Sequence, residues 1–132
     1  MTEKLRISEL DNRGDARGFS FTAPAEALTF VGRAADVHMA SMMPGAVRGN
    51  HYHLRRLSAI VVLPGAKWSL HWDEDEGAPA QHREFSGSSA TLLLISPGAS
   101  HAIRNDGDDN LWFVAISSLA YDPAESVARK VV

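Results

Sequence analysis

Short apolar runs, cut at close intervals by turn signals, constrain this chain more than any other feature. "ALTFV" (27–31), "DVHMASMM" (36–43), "SAIVVL" (58–63), "AKWSLHW" (66–72), "ATLLLI" (90–95) and "LWFVAI" (111–116) each have strand length, and several are rich in β-branched or aromatic residues. The breakers fall where strands should end: Pro44-Gly45, Pro64-Gly65, Pro97-Gly98 and the "NDGDDN" cluster at 105–110. No segment carries a long 3.6-residue period. Only the tail "DPAESVARKVV" predicts a short helix, with Asp122 as N-cap and Pro123 at the first helical position. Strands at this density in 132 residues predict an all-β sandwich or barrel in one domain.

In "AKWSLHW", Ala66, Trp68, Leu70 and Trp72 share one strand face, and Lys67, Ser69 and His71 share the other. That alternation suits a sheet with one face in the core. The acidic run "DEDEG" (73–77) reads as a solvated loop.

The chain has no cysteine, so disulfides, thiolate catalysis and cysteine-held metals are excluded, and any metal must take nitrogen and oxygen ligands. A net charge of -3 lacks the basic stripe of a nucleic-acid binder. No run approaches the roughly 18 apolar residues of a membrane helix, so no membrane partner is expected. The polar N-terminus has no leader-like apolar segment, which makes the cytoplasm the default location.

Two histidines, His51 and His53, stand one residue apart in "PGAVRGNHYHLRRLSAIVVLPG" (44–65). On a strand they point the same way, roughly 6.5–7 Å apart along the backbone, and can tilt toward one ion at about 2.0–2.1 Å. With six histidines in the chain such a pair arises readily by chance, so the surrounding spacing must carry the argument.

That spacing resembles the cupin superfamily. Gly45, five residues, His51-Tyr52-His53, four residues, Ser58, six residues and Gly65 reproduce the spacing of the first cupin motif. Ala90, five residues, Ser96-Pro97-Gly98, two residues, His101, three residues and Asn105 follow the frame of the second. The resemblance implies a single-domain cupin over residues 1–132, a double-stranded β-helix or jelly-roll barrel. Its barrel core would span about 27–118, with an N-terminal extension at 1–26 and a tail at 119–132. It further implies that His51, His53 and His101 are metal ligands inside the barrel, and that Gly65, Gly98 and Asn105 are structural. Ser58 stands where the family's metal-binding glutamate usually lies, and no acidic residue occurs between Asp36 and Asp73. A serine hydroxyl is a poor ligand, but three histidines still suit zinc, iron(II), nickel or copper and leave positions open. Ser58 would then hold a water or simply fill space. The alternative is a cupin that has lost its metal.

A narrower similarity is to the cupin domains of capsular-polysaccharide enzymes and to dTDP-sugar 3,5-epimerases. "RGNHYH" (48–53), "DARGF" (15–19) and "SHAIRNDGDDNLWFVAISSLAYDP" (100–123) carry it. In those epimerases the histidine at the position of His51 removes a proton next to a ketone without metal. The resemblance therefore makes His51 a general base and Arg48 a phosphate or loop contact. The family's lysine has no counterpart here, since "LRRLS" (54–58) supplies Arg55 and Arg56, and the aspartate that pairs with the histidine is not located.

The expected function is a sugar-nucleotide isomerase or epimerase in carbohydrate biosynthesis, acting on a small anionic molecule and working as a homodimer. The alternatives are a non-catalytic small-molecule binding or sensor cupin and a three-histidine oxygenase. Arg48, Tyr52, Ser58, His71 and Trp112 are the expected substrate contacts. His71 enters the barrel if the Trp68–Leu70–Trp72 face packs outward. Arg104 should point away from His101's face, His38 should be a satisfied core histidine, and His82 should be exposed.

Overall fold

The computed structural model describes residues 3–132. Two five-stranded antiparallel sheets face one another. The first has the order β1(Leu5–Glu9), β7(Thr91–Ile95), β4(Ser58–Val62), β9(Leu111–Ser117), β2(Asp36–Met42), and the second has the order β10(Ser126–Ala128), β3(Val47–His53), β8(His101–Asn105), β5(Trp68–Trp72), β6(Gln81–Phe85). This is the jelly-roll barrel of the cupins. The inner faces meet in a core containing Ile60, Val62, Trp68, Leu70, Leu93, Ile95, Ile103 and Phe113.

Strands β4 and β7 of the first sheet are apolar on both faces for a reason visible outside the barrel. Helix α1(Ala25–Val31) lies there, and its buried Ala27 and Val31 pack with Ala59, Leu92 and Leu94. Ser58, Ile60 and Val62 of β4 face inward while Ala59 faces the helix, so "SAIVV" needs hydrophobic character throughout. This corrects the strand expected at 27–31. Ala27, Phe30 and Val31 recur at helical spacing over one short element, bounded by Pro24 and by Gly32 at φ 77°.

The barrel also extends beyond 27–118. β1 adds an edge to β7, and β10 adds one to β3. Neither "LRISE" nor "SVA" carries an apolar run, because each edge strand presents little surface to the core. The expected tail helix is one 3-10 turn, Pro123–Glu125. Asp122 caps it by accepting from the Ala124 N–H (3.0 Å), and the chain then enters β10. The acidic run 73–77 is a loop as expected, but Asp73 within it is buried and paired with Arg129, which corrects its reading as solvated. Glu74 accepts from the Lys4 N–H (2.8 Å), and Asp75 pairs with the Lys4 side chain.

Asn105 holds the turn after β8. Its Nδ2 donates to the carbonyls of Met42 (2.9 Å) and Asp109 (2.8 Å), and its Oδ1 accepts from the Gly107 N–H (3.0 Å). Among the described residues no helix is long and apolar enough to cross a membrane.

Candidate active site

β3 reaches its functional geometry through a bulge. Gly49 pairs with Ala102 and His51 with His101, so Asn50 is the extra residue, held at φ 58°. Without it, Arg48 and His51, three apart, would point to opposite sheet faces. The bulge brings both to one cavity. Gly49 is required beside it: its φ is 120°, and a Cβ there would collide with the His101 carbonyl oxygen. Asn50 also anchors the tail, its Oδ1 accepting from the N–H groups of Val131 (2.8 Å) and Val132 (3.1 Å).

His51 and His53 from β3 and His101 from β8 converge on the cavity, which has a volume of about 600 Å³. Ring centroids lie 5.0 Å apart for His51–His53, 5.1 Å for His51–His101 and 6.0 Å for His53–His101. One ring nitrogen from each falls within 4.8 Å of the others. Two rings have their second nitrogen engaged. His101 Nδ1 donates to the Ala99 carbonyl (3.1 Å), and His53 Nδ1 lies 3.0 Å from Glu125 Oε1. Each partner fixes a tautomer that leaves Nε2 with its lone pair. The His51 ring has no hydrogen-bond partner among the described residues. The donor set fits a divalent transition ion of the zinc, iron(II) or nickel class.

Burial sets the protonation of these rings. His101 is pushed down to about 3 by burial, outweighing its bond to Ala99, and stays neutral near pH 7. His51 is lowered by burial and then by the charge of Arg56. His53 is lowered by burial, by His51 and by Arg56, with Glu125 opposing.

Glu125 is the residue that sequence reading missed. It is 4% exposed, and besides His53 it accepts from the backbone N–H groups of Arg55 and Arg56. It comes from the C-terminal tail, across the antiparallel pair in which Ser126 opposes His53. No local sequence signal pointed to it, because its place beside His53 depends on the tail strand returning to β3. Ser58, the residue in place of the cupin glutamate, does line the cavity, with its Oγ 3.4 Å from Ser117 Oγ.

Other expected contacts lie elsewhere. Tyr52 alternates to the outer face of β3, where Arg129 stacks 4.4 Å from its ring centroid. Trp112 is 53% exposed on β9, one residue out of phase with Phe113, which lines the cavity. His71 is on the outer face of β5, because Trp68 and Leu70 take the core. Its Nε2 lies 2.9 Å from Ser69 Oγ, and its ring stacks on exposed His82 at 5.6 Å. Arg104 points outward as expected and pairs with Asp106 (2.6 Å). His38 is exposed and lines the cavity mouth instead of the core, because edge strand β2 has nothing beyond it.

A family model described as "Polysaccharide biosynthesis C-terminal domain" matches residues 13–127. No curated protein sequence matches the chain. Among solved structures, the chain resembles ChmJ, a 3'-monoepimerase from Streptomyces bikiniensis in complex with dTDP-quinovose, with 22% identity over 95% of this chain and 69% of that one and a TM-score of 0.77. It resembles a variant of QdtA, the 3,4-ketoisomerase of Thermoanaerobacterium thermosaccharolyticum, in complex with TDP-4-keto-6-deoxyglucose, with 12% identity over 96% and 88% and a TM-score of 0.70. It also resembles CapF, a capsular polysaccharide assembling protein from Staphylococcus aureus, with 23% identity over 75% of this chain and 27% of that one and a TM-score of 0.67. At these identities the likeness establishes the fold.

Proposed function

The chain belongs to the polysaccharide biosynthesis C-terminal domain family, and from that premise we propose that it is an isomerase or epimerase of a nucleotide-linked ketosugar. The observation that carries this reading is the convergence of His51, His53 and His101 on one cavity, with His51 neutral and unpartnered. The names of the structural neighbours support the substrate class.

His51 can accept a proton at neutral pH, because burial and Arg56 keep its pKa below the ordinary histidine value. Abstraction next to a ketone leaves negative charge on the carbonyl oxygen, and return of the proton to the other face or the neighbouring carbon gives epimer or isomer. Glu125 holds His53 in place beside it, and Ser58 and Ser117 offer hydroxyls to the ligand. Apolar Ile60, Ile103 and Phe113 line the cavity below and limit access of water.

The same geometry favours a second form. His51, His53 and His101 would hold a divalent ion, which when bound supplies Lewis-acid polarisation of a carbonyl. His51 cannot give one lone pair to both an ion and a proton, so in that form the base is another group. The homodimer is proposed on the unpaired edge of β2, where Val37 and Met39 are 57% and 70% exposed.

The test is incubation with TDP-4-keto-6-deoxyglucose and product analysis by NMR, for the wild type and His51→Ala. Conversion lost in His51→Ala supports the reading. Binding without conversion by the wild type assigns a non-catalytic binding module instead, and conversion dependent on oxygen assigns an oxygenase.

A further inference from the structure

The reaction proposed above gives Arg56, a charged side chain of the cavity, no contact with the ligand. Arg56 lines the cavity wall, on the same side of the chain as Ser58 and Ile60. Its Nε is shielded from solvent and has no hydrogen-bond partner, and the guanidinium forms no ion pair among the described residues. Among the described residues its one hydrogen bond runs from its backbone N–H to Glu125 Oε2 (3.4 Å). Five other arginines are occupied: Arg6 by Glu26, Arg17 by Asp15, Arg104 by Asp106, Arg129 by Asp73, and Arg48 by the Ser41 carbonyl. Arg13, Arg33, Arg55 and Arg83 form no ion pair among the described residues either, but they are exposed and lie outside the cavity lining.

A half-buried, unpaired guanidinium is costly unless an oxyanion meets it. Its planar fork matches a carboxylate or phosphoryl group in two parallel, charge-assisted bonds. The carboxylates lining the same cavity leave it free. Asp36 makes no ion pair among the described residues, and Asp122 is engaged in capping Ala124. The electrostatic character of the site is therefore reversed from the cupin motif. At position 58 the motif's anion is a neutral hydroxyl, and two residues earlier the chain places a cation. That cation is near enough to bear on both His51 and His53.

We infer that Arg56 is the oxyanion-binding residue of this cavity, its guanidinium meeting a carboxylate or phosphoryl group of the ligand beside the three histidines. The inference deepens the functional reading by naming the ligand feature that the site selects. It rests on that reading for the cavity's being a ligand site and is independent of turnover.

The test uses the purified full chain, titrated with inorganic phosphate and separately with malonate, following the His51 and His53 ring signals by NMR at fixed pH. The wild type should show saturable shifts with at least one probe, and which probe binds more tightly distinguishes phosphoryl from carboxylate recognition. Arg56→Met should weaken that binding by about tenfold or more, and Arg56→Lys by less. Arg55→Met removes the same charge from an exposed neighbour outside the cavity lining and should leave binding unchanged. If Arg56→Met does not fold, Arg56→Gln takes its place. No saturable binding by the wild type, equal binding by the Arg56 variants, or an equal loss in Arg55→Met would overturn the assignment. Anion binding that depends on Arg56 without sugar conversion would leave the inference standing and end the functional reading. Conversion by the wild type with anion binding indifferent to Arg56 would do the reverse.

Discussion

Replacing Glu125 with glutamine should damage the site through His53 alone. Glu125 Oε1 pairs with His53 Nδ1 at 3.0 Å, while Oε2 takes the backbone N–H groups of Arg55 and Arg56. Hydrogen bonds to a charged group are worth about 1.5–3 kcal/mol each. A glutamine keeps one acceptor oxygen, and the two backbone donors claim it, so the amide NH2 is left facing His53. The ring can accept from it only by moving its proton to Nε2, which puts a hydrogen where a lone pair faced the cavity. The expected cost is therefore at most one charge-assisted bond, up to about 1.5–3 kcal/mol and less where the ring changes tautomer, against about 3–5 kcal/mol for Glu125→Ala, which also strands buried N–H groups. Urea denaturation with an unchanged m-value measures the first quantity. Long-range nitrogen–proton NMR of the imidazoles reads the tautomer. Zinc affinity, measured by competition with a chelator, should fall about 10–100-fold. A Glu125→Gln variant with wild-type stability and an unchanged His53 tautomer would refute the reasoning.

Three further outcomes follow from the same contacts. Because the His101 pKa of about 3 lies below the ordinary histidine value, the unfolded chain takes up its proton first as pH falls. Stability is thus full above about pH 6.5 and is lost toward pH 3 at about 1.4 kcal/mol per pH unit per proton. Urea melts should show about 2 kcal/mol lost between pH 7 and 5, with His51 and His53 adding in the same direction, and a flat profile would contradict this. Ser58→Glu restores a carboxylate to the cupin position. It should tighten zinc by about tenfold or more and lower the melting temperature of the metal-free protein by burying a new charge. Asp73→Asn leaves the partly buried Arg129 without its ion pair and should cost about 3 kcal/mol in chemical denaturation, with loss of ordered NMR signals from residues 126–132.

The barrel was legible because its inner strands must be apolar and its turns need Pro-Gly and Asn/Asp-Gly. His51 and His53 were legible as a pair because strand alternation puts residues two apart on one face, and His101 was joined to them by its resemblance to the second cupin motif. Helix α1 was hidden, since its few residues show a helical period only when Ala27 and Val31 are known to be buried and Phe30 packed beside them. β1 and β10 were hidden because edge strands bury little. Tyr52 and Trp112 have the chemistry of ligand contacts, but strand alternation turns both outward. His71 points outward for the opposite reason: the bulkier Trp68 and Leu70 claim the core face. Glu125 stands 72 residues from His53, and no local pattern predicts that a tail strand will return beside β3.

The central claim is that His51 removes a proton from carbon next to a ketone on a nucleotide-linked sugar. Exchange in deuterium oxide measures that step directly, even where no net product accumulates. Incubated with TDP-4-keto-6-deoxyglucose, the wild-type protein should replace the hydrogen next to the ketone with deuterium faster than buffer alone, and His51→Ala should not. Exchange by the wild type at the buffer rate, or undiminished exchange by His51→Ala, would contradict the account.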